Sequence, residues 1–95
     1  MEKANVYFTK EISAESLIKI YEALNRDLKG KVAIKISTGE PGGHNFLNPN
    51  LIKDLVSKLQ GTIVECCTAY GGKRMDVKDH WQTIEDHGFK AIAPC

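Results

Sequence analysis

Short apolar runs alternate with longer segments of helical periodicity along the 95 residues of this chain. The helical segments carry apolar residues three or four positions apart, while the short runs have the length of strands. Helices that connect consecutive strands favour right-handed crossovers and therefore a parallel sheet. The sequence predicts an α/β fold of order βαβαβαβ, with helices on the faces of a mainly parallel four-stranded sheet whose strands lie at 5–10, 31–38, 62–69 and 90–95.

Capping residues mark where each predicted helix begins and ends. Ser, Asn and Asp side chains accept hydrogen bonds from free N–H groups of a first turn, and glycine commonly follows a last turn. In the third helix, Val77, Trp81 and Ile84 are predicted to face inward at helical spacing. The helices are predicted to begin after Ser13, Asn48 and Asp76, and the first and third to end at Gly30 and Gly88.

The length predicts one domain covering residues 1–95, because two independent cores would need a longer chain. The last predicted strand reaches Cys95 with no helix after it, and an edge strand exposes unpaired backbone groups. Two expectations follow from this pattern. Either the strand pairs with a second copy or another subunit, or these residues form the amino-terminal portion of a longer architecture.

Composition limits the classes of partner. Net charge is +1, with 42% hydrophobic and 26% charged residues, as in ordinary soluble proteins. So weak a field favours neither nucleic acid nor a membrane surface as partner. No apolar run approaches the roughly 20 residues of a membrane span, and the amino terminus lacks the apolar core of a signal peptide. A cytoplasmic protein is expected.

Two long glycine-bearing loops follow the second and third predicted strands, and we name them loop 38–48 and loop 68–74. In parallel α/β sheets, ligands bind outside the carboxyl ends of the strands. Gly42 and Gly43 can direct backbone N–H groups at an anion, and Thr38 and Asn45 are predicted to add ligand contacts. The pattern matches neither a dinucleotide fingerprint nor a P-loop. The alternative is a plain surface loop with two turns.

Polar side chains of both loops are candidates for chemistry. In loop 38–48, Glu40 and His44 are the predicted catalytic or proton-transfer residues, although a single loop histidine is often just an exposed residue. In loop 68–74, Lys73 and Arg74 suit a phosphate or carboxylate, and Tyr70 can stack on a ligand. The alternative for the second loop is a solvated basic turn.

Charged and sulfur-bearing residues also stand inside the predicted strands. Lys35 and Glu65 each interrupt an apolar run, and we expect a structural ion pair between them or an incompletely covered sheet face, with a functional pair as the alternative. Cys66 and Cys67 are predicted to be reduced, buried thiols. No metal site is predicted, since a C-x-x-C spacing is missing. A site built from His44, Glu40 and a strand cysteine is a weaker alternative.

Several stretches resemble a known family. VYFTKEIS, KVAIKISTGEPGGHNFLNP, LIKDL, GTIVECCTAYGGKR and DHGF together are similar to the amino-terminal part of the DUF362 family, whose function is unknown. The family occurs in bacterial and archaeal proteins often described as iron–sulfur or ferredoxin-like. The resemblance implies a further α/β portion and often a [4Fe–4S] segment in longer members. This chain lacks a C-x-x-C-x-x-C run, so it is expected to carry no cofactor itself.

Two functions are therefore open. In the first, the domain binds an anionic small molecule with its two glycine-rich loops. Gly42, Gly43, Lys73 and Arg74 would hold the anion in that case. In the second, it is a non-catalytic association module that forms a homo-oligomer or joins an iron–sulfur or electron-transfer partner.

Overall fold

A computed structural model describes residues 2–95 as three helices and a small parallel sheet. Strand β1 pairs with β2 in parallel, so that Ile34 lies opposite Ile63 and Lys35 opposite Val64. The two strands are each three residues long. In chain order the elements are α1 (Ala14–Ala23), β1 (Ala33–Lys35), α2 (Pro49–Leu59), β2 (Thr62–Val64), α3 (Val77–Asp86) and a 3₁₀ turn at Phe89–Ala91.

The prediction of a four-stranded βαβαβαβ sheet is wrong, since only two strands pair within residues 2–95. Segment 5–10 forms no strand, and Val6 and Phe8 are 89% and 80% exposed. Segment 90–95 contributes one sheet-like contact, in which the Ile63 N–H donates to the Pro94 carbonyl at 2.9 Å. Strand preference depends on packing against a neighbouring strand, which segment 5–10 does not obtain, and segment 90–95 begins within the 3₁₀ turn at Phe89–Ala91.

The two strands that do form are shorter than predicted. Beyond Val64, the chain turns the Glu65 side chain inward toward Thr38. Cys66 and Cys67 that follow are exposed free thiols, so the prediction that they are buried is wrong. Regular pairing ends where polar side chains rather than backbone groups begin to link the two chain segments.

The predicted helix starts are confirmed. Side chains of Ser13, Asn48 and Asp76 each accept a hydrogen bond from the first turn of their helix. The first helix ends at Ala23, earlier than predicted, because Asn25 adopts a left-handed φ of 50°. Among residues 2–95, no helix has the length and apolar character required to cross a bilayer.

A small core lies between the sheet, α2 and α3. Its buried apolar residues are Ile52, Val56, Ile63, Ile84 and Phe89. The inward face of α3 is only partly the predicted one: Ile84 is buried, but Val77 and Trp81 are 63% and 39% exposed. His80 and Thr83 are buried in their place. On this face, Nε2 of His80 contacts the Glu65 carboxylate at 3.2 Å.

Candidate functional site at the carboxyl end of the sheet

The two long loops meet at one end of the sheet. Because β1 and β2 are parallel, loop 38–48 and loop 68–74 both follow strands that end on the same side. The loops are joined by Glu40 and Arg74, whose Oε1 and Nη1 atoms are 2.8 Å apart. We call this end of the sheet the rim. Its polar side chains, the rim cluster, are Thr38, Glu40, Glu65, Tyr70, Arg74 and His80.

A buried carboxylate lies at the base of the rim cluster. The side chain of Glu65 is 3% exposed, and its Oε1 accepts a hydrogen bond from Arg74 Nη2 at 2.6 Å. Its Oε2 accepts from the backbone N–H of Thr38 at 3.1 Å and also from the Thr38 hydroxyl. The Nε2 atom of His80 lies 3.2 Å from the same oxygen. Such a buried charge is tolerated only because all these partners replace water.

Arg74 connects the buried base of the cluster to its exposed surface. Its side chain is 11% exposed and contacts Glu65 through Nη2 and Glu40 through Nη1. The Arg74 carbonyl also accepts from the Thr68 N–H at 3.0 Å, which holds the loop backbone. Within residues 2–95, its Nε is the one buried side-chain nitrogen or oxygen without a hydrogen-bond partner. The Arg74 guanidinium is therefore fixed in place, although not all of its hydrogen-bond donors have an acceptor.

Glu40 is the exposed end of this chain of contacts. Its side chain is 56% exposed, and its Oε1 accepts from both Arg74 Nη1 and the Tyr70 hydroxyl, the latter at 2.5 Å. Two donors on loop 68–74 thus converge on a single carboxylate oxygen supplied by loop 38–48.

The contacts shift the pKa values of the cluster. Burial alone would raise the pKa of Glu65, but the hydrogen bonds from Thr38 and the charge of Arg74 outweigh it and hold this pKa below 4.5. Hydrogen bonds from Tyr70 and Arg74 lower the pKa of Glu40. The bond to Glu40 raises the pKa of Tyr70. At neutral pH both carboxylates are charged, so Glu40 is a weak proton acceptor and Tyr70 is a donor.

The remaining predicted residues of loop 38–48 lie differently. His44 and Asn45 are exposed, and the loop reaches the rim cluster through Glu40 instead. The N–H of Gly43 donates to the Glu40 carbonyl at 3.0 Å, so it closes a turn rather than facing an anion. Gly42 has a left-handed φ of 74° with open space around it. Of this loop's predicted site residues, the ligand contacts Gly42 and Asn45 and the catalytic candidate His44 are at the surface.

Two other predicted contacts occupy opposite environments. Thr38 is fully buried, and its N–H and hydroxyl both serve Glu65. Its carbonyl lies 2.6 Å from Nδ1 of His87, whose ring stacks on Phe46 with centroids 3.9 Å apart. Lys73, in contrast, is exposed beside Arg74. Thr38 therefore supports the rim cluster from the interior through Glu65. Lys73 is an exposed cation that directly precedes Arg74 in the sequence.

The predicted partner of Glu65 is wrong. Lys35 is exposed and its Nζ donates to the Ile36 carbonyl at 3.0 Å, while Glu65 pairs with Arg74. Sequence reasoning therefore missed the Glu65–Arg74 pair and the buried His80. The one available signal was the carboxylate in the middle of an apolar run, which indicates a buried partner without identifying it.

A cavity of about 320 Å³ lies between β2 and α3, and Glu65 is among its lining residues. Its walls are mostly apolar, and the single tryptophan of the chain stands among them. Within the described residues, no three His, Cys, Asp or Glu side chains are grouped so that they could hold a metal ion. The lining residues are Ile63, Val64, Glu65, Cys67, Val77, His80, Trp81, Ile84 and Cys95.

No protein-family model, curated protein or solved structure matches this chain.

Proposed function

We propose that this domain binds an anionic small molecule at the rim, through Arg74 and Tyr70. The observation that carries the proposal is the convergence of Arg74 Nη1 and the Tyr70 hydroxyl on one carboxylate oxygen, at 2.8 and 2.5 Å. A guanidinium and a phenol aimed at one point form a site for an oxyanion, because hydrogen bonds between charged partners are the stronger ones.

The Arg74 donor is held in position before a ligand arrives. Arg74 is fixed by the buried carboxylate of Glu65 and by its own backbone bond to Thr68. A donor that does not need to be ordered on binding retains more of its interaction energy. A ligand larger than one carboxylate would extend toward the exposed Lys73 on one loop and His44 on the other. The proposal is one of binding, since the low pKa of Glu40 does not favour proton transfer.

Titration calorimetry with citrate and with inorganic phosphate tests this function. We expect saturable binding of one of these anions that weakens as salt is added. Tyr70→Phe should weaken it about tenfold, because a hydrogen bond to a charged group is lost. Tyr7→Phe, at another exposed tyrosine, is the matched control and should change nothing. Failure of both anions to bind, or equal effects of the two tyrosine variants, would contradict the proposal.

The resemblance to the DUF362 family also stays a proposal. Its most specific stretches, KISTGEPGGHN and TAYGGKR, contain Glu40 on one side and Tyr70 and Arg74 on the other. Three residues of these two stretches thus meet at the rim. The family's function is unknown, so the donors at the rim are what indicate the class of ligand.

Association is a second candidate function, favoured by a different observation. Val6, Phe8 and Ile12 are 89%, 80% and 87% exposed, in a segment that forms neither helix nor strand. Within residues 2–95, β1 pairs only with β2, which leaves its other edge open to a strand. In a second copy of the chain, this apolar segment would add as a strand to the open edge of β1.

Sedimentation equilibrium over a range of protein concentrations tests the association. We expect a dimer in the micromolar range that Phe8→Lys converts to a monomer, because a charge at this position opposes burial of the segment. Leu28→Lys, at another exposed apolar residue, is the control and should leave the dimer intact. A monomer at all concentrations would contradict this second function.

A further inference from the structure

We infer that Glu40 is an internal competitor for the rim site: its carboxylate occupies the Tyr70–Arg74 donor pair when the site is empty, and the ligand is a carboxylate that takes its place. This inference rests on the proposed function and assigns the ligand class and the regulation of the same site. Glu40 then acts as a gate, since each binding event must first break its contacts with both donors.

The two carboxylates on Arg74 differ in how easily each could leave. Glu65 is 3% exposed and has Thr38, Arg74 and His80 as partners, so its removal would leave buried groups unpaired. The Glu40 side chain is 56% exposed and can pass directly into water. Exchange is therefore expected at Nη1, while Nη2 keeps its bond to Glu65 and preserves the orientation of the guanidinium.

The backbone on the carboxyl side of Glu40 permits such a movement. Gly42 has a φ of +74° and nothing within 4 Å of an added Cβ, whereas Gly39, on the other side, lies against Phe46. Glycine allows the backbone more alternative conformations than any other residue, so the movement is expected on the Gly42 side. Within residues 2–95, the one backbone bond at Glu40 is the turn contact from the Gly43 N–H. The Glu40 carboxylate is thus carried by a loop outside the helices and strands, between Gly39 and Gly42.

The charge of the cluster favours a carboxylate ligand over a phosphate. At neutral pH the cluster holds one guanidinium with two carboxylates, Glu40 and Glu65. Exchange of Glu40 for a singly charged carboxylate leaves this balance unchanged. A phosphate carrying nearly two charges would increase repulsion from the buried Glu65, where the interaction is poorly screened. The Tyr70 hydroxyl and Arg74 Nη1 also already donate to a carboxylate oxygen, that of Glu40.

Calorimetric titration of the whole chain with acetate and with inorganic phosphate tests the inference. Glu40→Ala removes the competitor, and acetate should bind it about fivefold more tightly than the wild type, the upper range for one exposed ion pair. Glu40→Gln should fall between the two, because its amide oxygen still accepts from both donors. Glu22→Ala removes another exposed carboxylate, paired with Lys58 at 3.2 Å, and should leave the affinity unchanged.

The outcomes separate the inference from the proposed function. Suppose that wild type binds acetate, that Tyr70→Phe weakens this binding and that Glu40→Ala does not strengthen it. The inference that Glu40 competes for the site is then wrong, and the proposed binding function stands. If neither wild type nor Glu40→Ala binds acetate, phosphate or citrate, both are overturned. If citrate alone binds, the predicted gain for acetate fails and only the competitor is overturned. If Glu40→Ala binds phosphate more tightly than acetate, the assignment to carboxylates is overturned. If Glu22→Ala gains as much affinity for acetate as Glu40→Ala, the gain comes from the change in net charge. The inference that Glu40 competes with the ligand is then overturned.

Discussion

Replacing Glu65 with alanine is expected to lower the free energy of unfolding by about 3–5 kcal/mol, the range for breaking a buried ion pair. The variant leaves the Arg74 guanidinium, whose side chain is 11% exposed, without its buried counter-charge. The N–H and hydroxyl of Thr38 lose their acceptor as well. Urea unfolding followed by circular dichroism measures the loss.

The control for this prediction is Glu85→Ala. Glu85 pairs with Lys90 at 3.8 Å, and its side chain is 61% exposed. Exposed pairs contribute about 0–1 kcal/mol, so the control should be close to wild type. Similar losses in the two variants would mean that the Glu65 carboxylate is not a buried support of the rim.

The pH dependence of stability offers a second measurement on the same carboxylate. The pKa of Glu65 is lower in the folded chain than the ordinary value of 4.5. Its contribution is therefore complete above the unfolded pKa and is lost as pH falls through the folded pKa. Glu65→Gln, which does not titrate, should flatten the stability curve in this acid window. An unchanged curve would contradict the lowered pKa.

Replacing Gly39 with alanine is expected to cost about 3 kcal/mol, by adding overpacking of about 1–3 kcal/mol to backbone strain of about 1–2 kcal/mol. The φ of Gly39 is +93°, and an added Cβ would overlap Cβ of Phe46. Phe46 cannot easily yield, because it stacks on His87 and packs against the core. Thermal and urea unfolding measure the effect.

Gly42→Ala is the matched control in the same loop. Its φ of +74° imposes backbone strain, but nothing lies within 4 Å of an added Cβ. We expect a loss of about 1 kcal/mol, from strain alone. If the two glycine variants lose the same stability, the close approach of Gly39 to Phe46 does not constrain the loop that carries Glu40.

Helix starts were predictable from sequence because the interactions that make them are local. Ser13, Asn48 and Asp76 each bond to an N–H two or three residues away. Strand formation is not local, since Val6 and Phe8 have strand-like character and yet remain exposed without a partner. The same physical difference explains why the fold class was mispredicted although all three helices were found.

The rim shows this division at the level of single side chains. Glycine-rich loops at strand ends directed attention to Glu40, Tyr70 and Arg74, which the structure brings into contact. The partner of Glu65 was mispredicted, because the prediction placed Lys35 beside Glu65, whereas the observed register places Lys35 opposite Val64, one position earlier. The strands stop at Lys35 and Val64, and the guanidinium takes the carboxylate instead.

By itself the sequence determined the helix starts and which loops carry polar and flexible residues, since these depend on neighbours only a few positions away. The tertiary structure alone decided which strands pair and how the carboxylates are shared around Arg74. It paired the Arg74 guanidinium with Glu65 in the interior and with Glu40 at the protein surface. That choice depends on contacts 9 and 34 residues apart in sequence, where burial and competing partners, rather than local preference, set the free energy.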